Sequence, residues 1–327
     1  MFRKTLVLHI LIVISFLSRR VLLASATALS LLGAPAYAAD KVPVTASFSI
    51  LGDLVHAVGG ERVAVTTLVG PNEDAHVFEP KPQDAKALLN SRLLVTNGLG
   101  FEPWASKLAR SANYKGEVVV ASKDVKTRQV SDGKKHAGHG GTDPHAWQNP
   151  NNVVLYVRNI AAGLAKADPD GAAFYQANAE SYVKELVAFD TWAKAQFDAI
   201  PLDQRKVITS HDAFGYLAAH YGVQFLAPQG VNTEAEPSAK HVAQLIAQIK
   251  REKIRAVFVE NMSSPKLVAQ LSKDSGITVG ANLYADALSA KGQSGPTYLE
   301  MMRHNVTHLV AGMTQNGTLP VRTGGRL

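Results

Sequence analysis

Three histidines and one aspartate in this 327-residue chain stand where their side chains can do chemistry together. His76 lies in Asn72-Glu73-Asp74-Ala75-His76-Val77-Phe78-Glu79-Pro80, just after a run that reads as a β-strand. His145 lies in Asp143-Pro144-His145-Ala146-Trp147, ahead of a helix. His211 lies in Thr209-Ser210-His211-Asp212-Ala213-Phe214, at the end of another strand. Asp286, in Leu283-Tyr284-Ala285-Asp286-Ala287-Leu288, follows a further strand-like run. Open α/β sheets bind ligands at the carboxyl ends of their strands, so the four are candidates for one site. Three neutral imidazoles and a carboxylate suit Zn²⁺ at about 2.0–2.2 Å from each donor. The same nitrogen and oxygen donors admit Mn²⁺, iron or cobalt. The intervals of 69, 66 and 75 residues are far from a compact metal finger, so only folding brings the four together. Glu260 and Asp212 are candidates for holding a ligating imidazole by its other nitrogen. Trp147 reads as packing. Of the other eight histidines, His136 and His139 fall in a glycine-rich loop and His9 near the N-terminus. His56, His220, His241, His304 and His308 fall on predicted helices as structural or solvated residues.

The elements that must position these residues alternate. Strands are expected at Val44–Ile50, Arg62–Leu68, Leu93–Asn97 and Val118–Ala121, with helices at Leu51–Val58, Lys81–Asn90 and Trp104–Ser111. A second series has strands at Lys206–Ser210, Gln224–Leu226, Ala256–Val259 and Thr278–Gly280. Its helices are Phe214–Tyr221, Ser238–Glu252, Pro265–Ser275 and Thr297–Val310. Strands alternating with helices predict an α/β fold with parallel sheets flanked by helices. Between the two series, Tyr175, Ala179, Tyr182, Leu186, Phe189, Ala193, Phe197 and Ile200 recur at helical spacing. They predict one helix over 168–200, N-capped by Asp168, with Pro169 at its first position. At ~1.5 Å per residue it is about 45 Å long. The expected organisation is an N-terminal lobe over 39–167, a linker helix over 168–200, a second lobe over 201–316 and a flexible tail over 317–327. Lys126–Thr142, with four glycines and no apolar period, is expected to be a mobile loop.

Composition narrows the function. There is no cysteine, which removes disulfides, thiolate metal sites and a lipid anchor on sulfur. Residues 1–38 hold Arg3, Lys4, Arg19 and Arg20, no acid, two apolar runs and Ala36-Tyr37-Ala38, a pattern of an export signal. Ser18-Arg19-Arg20-Val21-Leu22-Leu23 resembles a twin-arginine signal. Both apolar runs are shorter than the ~18–20 residues of a spanning helix. Without residues 1–38 the formal charge of +7 falls to +3, and no dense basic run remains to bind nucleic acid. An exported, periplasmic protein without a lipid anchor is expected.

Several stretches, in this order along the chain, resemble the zinc/manganese-specific solute-binding proteins of metal ABC transporters, the cluster A-I family of ZnuA and TroA types. They are His76 with Phe78-Glu79-Pro80, Val95–Trp104 (VTNGLGFEPW), Asp143–Trp147, Thr209–Tyr216 (TSHDAFGY), Glu236-Pro237-Ser238, Val257–Lys266 (VFVENMSSPK) and Tyr284–Ser289 (YADALS). The likeness runs from about Val44 to Val310. It implies two lobes joined by one long rigid helix, with metal between them. It carries ligand roles to His76, His145, His211 and Asp286. It implies a membrane permease as partner, allows a periplasmic zinc chaperone, and fits a monomer. Histidine at the third ligand position is common in zinc-type members, whereas manganese-type members have glutamate there. His211 and the loop carrying His136 and His139, an auxiliary metal collector in that reading, therefore point to zinc. Gln148-Asn149 and Asn261-Met262 depart from the family's usual Leu-Asp and Pro-Gln.

Other readings remain open on the residues alone. Manganese or iron cargo fits the same ligands. A zinc-dependent hydrolase needs an open metal position and a base, and no HExxH motif is present. A binder of bulky chelates needs a cleft lined with aromatics or arginine. An adhesin needs retention at a cell surface.

Overall fold

β1 (Val42–Phe48) is the middle of the first sheet, and its sequence shows why. Nearly every residue of VPVTASF is buried, as in a parallel strand covered on both faces. A computed structural model describes residues 40–130, 141–235, 238–277 and 279–315. The predicted export signal, His136, His139, Glu236, Pro237 and the tail over 317–327 lie outside the described residues. β2 (Val63–Val69), β3 (Leu93–Thr96) and β4 (Glu117–Val120) complete an all-parallel sheet of order β2-β1-β3-β4. Val44 faces Val65 on one side and Leu93 on the other.

Helix α1 (Ser49–Gly59) follows β1 directly and packs on β1 and β2. α2 (Pro82–Leu89) and α3 (Pro103–Ser111) each start at proline, where the missing N–H costs nothing. α4 (Pro150–Ala167) is capped by Asn149, whose side chain accepts from Asn151 N at 2.9 Å. α4 lies against β3 and β4, and Gly163 permits the approach: a Cβ there would stand 2.2 Å from Val119 Cγ2.

The long helix, α5, spans Ala172–Asp198, 27 residues. It starts later than the predicted span because Asp168 does not act as its cap. The Asp168 carboxylate instead accepts from Arg62 and from the Tyr175 hydroxyl, and Pro169–Gly171 form a 3₁₀ turn. Six residues of the expected stripe, Tyr175, Ala179, Leu186, Phe189, Ala193 and Phe197, are buried. They rest on α1 and α4 from the first series and on α9 (Tyr298–Met313) from the second.

The second series opens with β5 (Lys206–Ile208), α6 (Gly215–Tyr221) and β6 (Gln224–Leu226), the strands parallel. α7 (Ala239–Glu252) and α8 (Pro265–Ser275) follow and pack on each other. The expected strand Ala256–Val259 is not regular, and the expected strand Thr278–Gly280 lies partly outside the described residues. The chain runs beside β5, with Ile208 N to Ala256 O and Phe258 N to Ile208 O, but only single bridges form, Ile208 with Val257 and Glu260 with Leu283. On the side facing β5 the pairing ends at Glu260, whose N–H donates to the Ser210 hydroxyl.

Lys126–Thr142 is not featureless at its ends. Gln129 bridges Thr142 in antiparallel fashion, Val130 N donates to Gly141 O, and Asp143 N donates to Arg128 O.

Candidate metal centre

His76 stands in the turn after β2, His145 just before the turn Ala146–Gln148 that leads into α4, and His211 just past β5. Asp286 lies in the segment after the Leu283 bridge. Folding brings one donor atom from each within 4.8 Å of all the others, and all four residues are buried. His211 Nε2 and His76 Nε2 lie 3.1 and 3.2 Å from Asp286 Oδ2, and His145 Nε2 lies 3.6 Å from Oδ1. The Nε2 atoms of His76 and His145 are 3.4 Å apart.

These contacts are close, yet Asp286 Oδ1, Asp286 Oδ2 and His211 Nε2 have no hydrogen-bonded partner. With His211 neutral and protonated at Nδ1, its Nε2 lone pair and the Asp286 oxygens are acceptors turned toward one another. A buried carboxylate left so costs several kcal/mol. A proton on His211 Nε2 offsets part of that cost, and a cation at the point all four atoms face takes the proton's place.

The other ring nitrogens of His145 and His211 are held by carboxylates. Asp143 Oδ1 accepts from His145 Nδ1 at 2.9 Å and from His145 N at 3.0 Å. Glu260 Oε2 pairs with His211 Nδ1, and Glu260 Oε1 accepts from His211 N. Each bond fixes Nδ1 as the protonated nitrogen and leaves the Nε2 lone pair for a metal. For Asp212, no side-chain hydrogen bond to a histidine occurs among the described residues, and burial raises its carboxyl pKa. The ring partner at that end of the site is Asp143, where the sequence pointed to Asp212. Its signal was a repeated Asp-x-His word: Asp74 Oδ1 likewise accepts from His76 N at 2.9 Å.

Burial opposes ionisation of Asp286, but His211 and His145 hold its carboxyl well below the usual range. Burial also disfavours the His211 imidazolium, yet Glu260 and Asp286 together raise its pKa well above 6.5. Burial works against the Asp143 carboxylate too, and its bonds to His145 and Arg128 leave it lowered.

The Asp286 segment is placed by partners far away in sequence. Trp147 Nε1 and Gln148 Nε2 both donate to Ala285 O, at 2.9 and 2.8 Å. Trp147 thus fixes the aspartate as well as packing on Phe48, Phe101 and the His145 ring. The two departures from the family words have work here. Gln148 makes the second bond to Ala285, and Asn261 N donates to Leu283 O while its side chain reaches Asn72 Oδ1 at 2.8 Å. On the other flank Asn97 Nδ2 donates to Pro144 O, beside His145, and Asn97 N to buried Glu102.

Comparison with known proteins places the chain among relatives. A family model described as "Zinc-uptake complex component A periplasmic" matches residues 44–312. The manganese-binding lipoprotein MntA of Halalkalibacterium halodurans is 34% identical over 277 residues, covering 84% of this chain and 90% of its own. The iron ABC transporter substrate-binding lipoprotein MtsA of Streptococcus pyogenes is 32% identical over 286 residues, with 84% and 90% covered. Among solved structures, the periplasmic zinc-binding protein TroA from Treponema pallidum superposes with a TM-score of 0.78 at 27% identity, over 84% of this chain and 99% of TroA.

These relatives overturn one expectation, that of a periplasmic protein free of any lipid anchor. MntA and MtsA are named lipoproteins. The absence of cysteine removes attachment through sulfur and nothing more, so it is no ground for a free location.

Proposed function

The chain belongs to the family of zinc-uptake component A, the substrate-binding components of metal ABC transporters, and from that premise we propose that its own cargo is Zn²⁺, held by His76, His145, His211 and Asp286. Members of this family are solute-binding proteins and not enzymes, and their partner is a membrane permease. The observation that carries the ligand assignment is the buried, unpartnered set of Asp286 Oδ1, Asp286 Oδ2 and His211 Nε2, with the other Nε2 atoms around it. Three imidazoles and one carboxylate make a closed four-donor shell of the kind zinc takes. No position for an activated water is needed, which fits carriage rather than hydrolysis. With this reading go two lobes, 39–167 and 201–316, a linker over 168–200, and action as a monomer that a zinc chaperone can load.

Manganese or iron is the second reading, favoured by the names of MntA and MtsA. Affinity alone does not separate the two, because nitrogen and oxygen donors generally bind zinc more tightly than manganese whichever metal is carried. Uptake does. Cells lacking this protein should lose accumulation of radioactive zinc at low external supply and regain it with the intact chain. Loss of manganese accumulation with zinc uptake unchanged contradicts zinc as cargo.

A further inference from the structure

Asp143 has two oxygens, and the centre uses one. Oδ1 takes both bonds from His145. Oδ2 accepts from Arg128 Nη1 at 2.9 Å, its one hydrogen bond among the described residues. The Asp143 side chain is fully buried, whereas that of Arg128 is 36% exposed. The guanidinium reaches in from the surface to complete a carboxylate whose other face holds a metal-facing imidazole.

The surroundings are built around this contact. Arg128 N donates to the Tyr216 hydroxyl at 3.0 Å, that hydroxyl donates to Asp143 O at 3.2 Å, and Asp143 N donates back to Arg128 O at 2.8 Å. Residues 128 and 143 are thereby clamped to each other and to α6. Gly215, the first residue of α6, leaves the space: a Cβ there would stand 1.9 Å from Arg128 Nη1 and 2.6 Å from Asp143 Oδ2.

We infer that Arg128 is a positioning residue for metal capture, which orients Asp143 so that His145 presents Nε2 to the ion. Arg128 touches neither the ion nor any of the four donors. It acts through Asp143. A planar guanidinium fixes the tilt of a carboxylate, and the carboxylate fixes the imidazole plane and its tautomer. This rests on the proposed ion site, and the test separates the two.

The experiment is a double-mutant cycle on the full chain, with Zn²⁺ alone as probe and a chelator of known affinity as competitor. R128Q should weaken zinc binding about tenfold, within the range for loss of a supporting partner. D143N should weaken it at least as much. The double variant should bind like D143N, because Arg128 has nothing left to orient. If wild type binds no equimolar zinc, the ion site itself fails. If wild type binds tightly and R128Q matches it, or if the two losses multiply in the double variant, the role given to Arg128 is wrong. A lower metal-free melting midpoint in R128Q leaves this comparison intact, since general weakening persists in the D143N background whereas positioning does not.

Discussion

His211 stands between Glu260 and Asp286, and this sets how the site answers to pH. Both carboxylates favour its imidazolium, so its pKa lies above 6.5 despite burial. A metal needs the neutral ring, so at neutral pH it displaces a proton. Affinity therefore rises with pH, and the rise continues above the ordinary imidazole value of ~6.5. Calorimetry at pH 7.5 in buffers of different ionisation heats should show roughly one proton released per ion. No release at that pH contradicts the raised His211. That these four side chains come together was legible, since each sits in a short word beside an expected strand or helix end. Their supports were less so. Trp147 and Gln148 meet Ala285 across 138 and 137 residues, and no spacing rule reaches that far. Asp143 was within reach, two residues before His145, but an aspartate before a proline reads equally well as turn chemistry.

Among the elements, the segment after β3 holds the buried Glu102, which accepts from Ser47 Oγ at 3.0 Å and from Asn97 N. Burial pushes its pKa up to about 7. A raised carboxyl pKa contributes stability at low pH that is lost as pH climbs through the folded value. E102Q keeps the acceptor oxygen without the charge. Its melting midpoint relative to wild type should gain steadily from about pH 4.3 to 7 and then level. A difference that does not change with pH contradicts the buried, raised carboxyl. Helix α5 makes a second prediction. Phe189 is buried at its middle, so Phe189→Ala should cost about 3–5 kcal/mol in chemical denaturation. A cost near zero means the helix is a spacer and not part of the core. The helix itself was plain in the sequence from its stripe. Its start was not, because Asp168 is spent on Arg62 and Tyr175, partners that local capping rules do not see. The segment at 256–259 has the composition of a strand and pairs at a single bridge with β5, and just beyond it Ser210 takes the Glu260 N–H on that side.

At the scale of the whole molecule, α5 is packed along its length against helices from both series, so bending it disturbs the core. Capture should therefore proceed by local shifts around the four donors. The radius of gyration in solution should be the same with and without zinc, and a large compaction on binding contradicts this. Two series of alternating strands and helices made the two-sheet architecture legible, but where the protein resides was misread from the lack of cysteine. The most direct test of the account is anomalous diffraction at the zinc edge from crystals of the full chain holding one equivalent of Zn²⁺. A single strong peak is predicted about 2.0–2.2 Å from Nε2 of His76, His145 and His211 and from a carboxylate oxygen of Asp286. A peak elsewhere, with these four side chains unligated, contradicts the assignment.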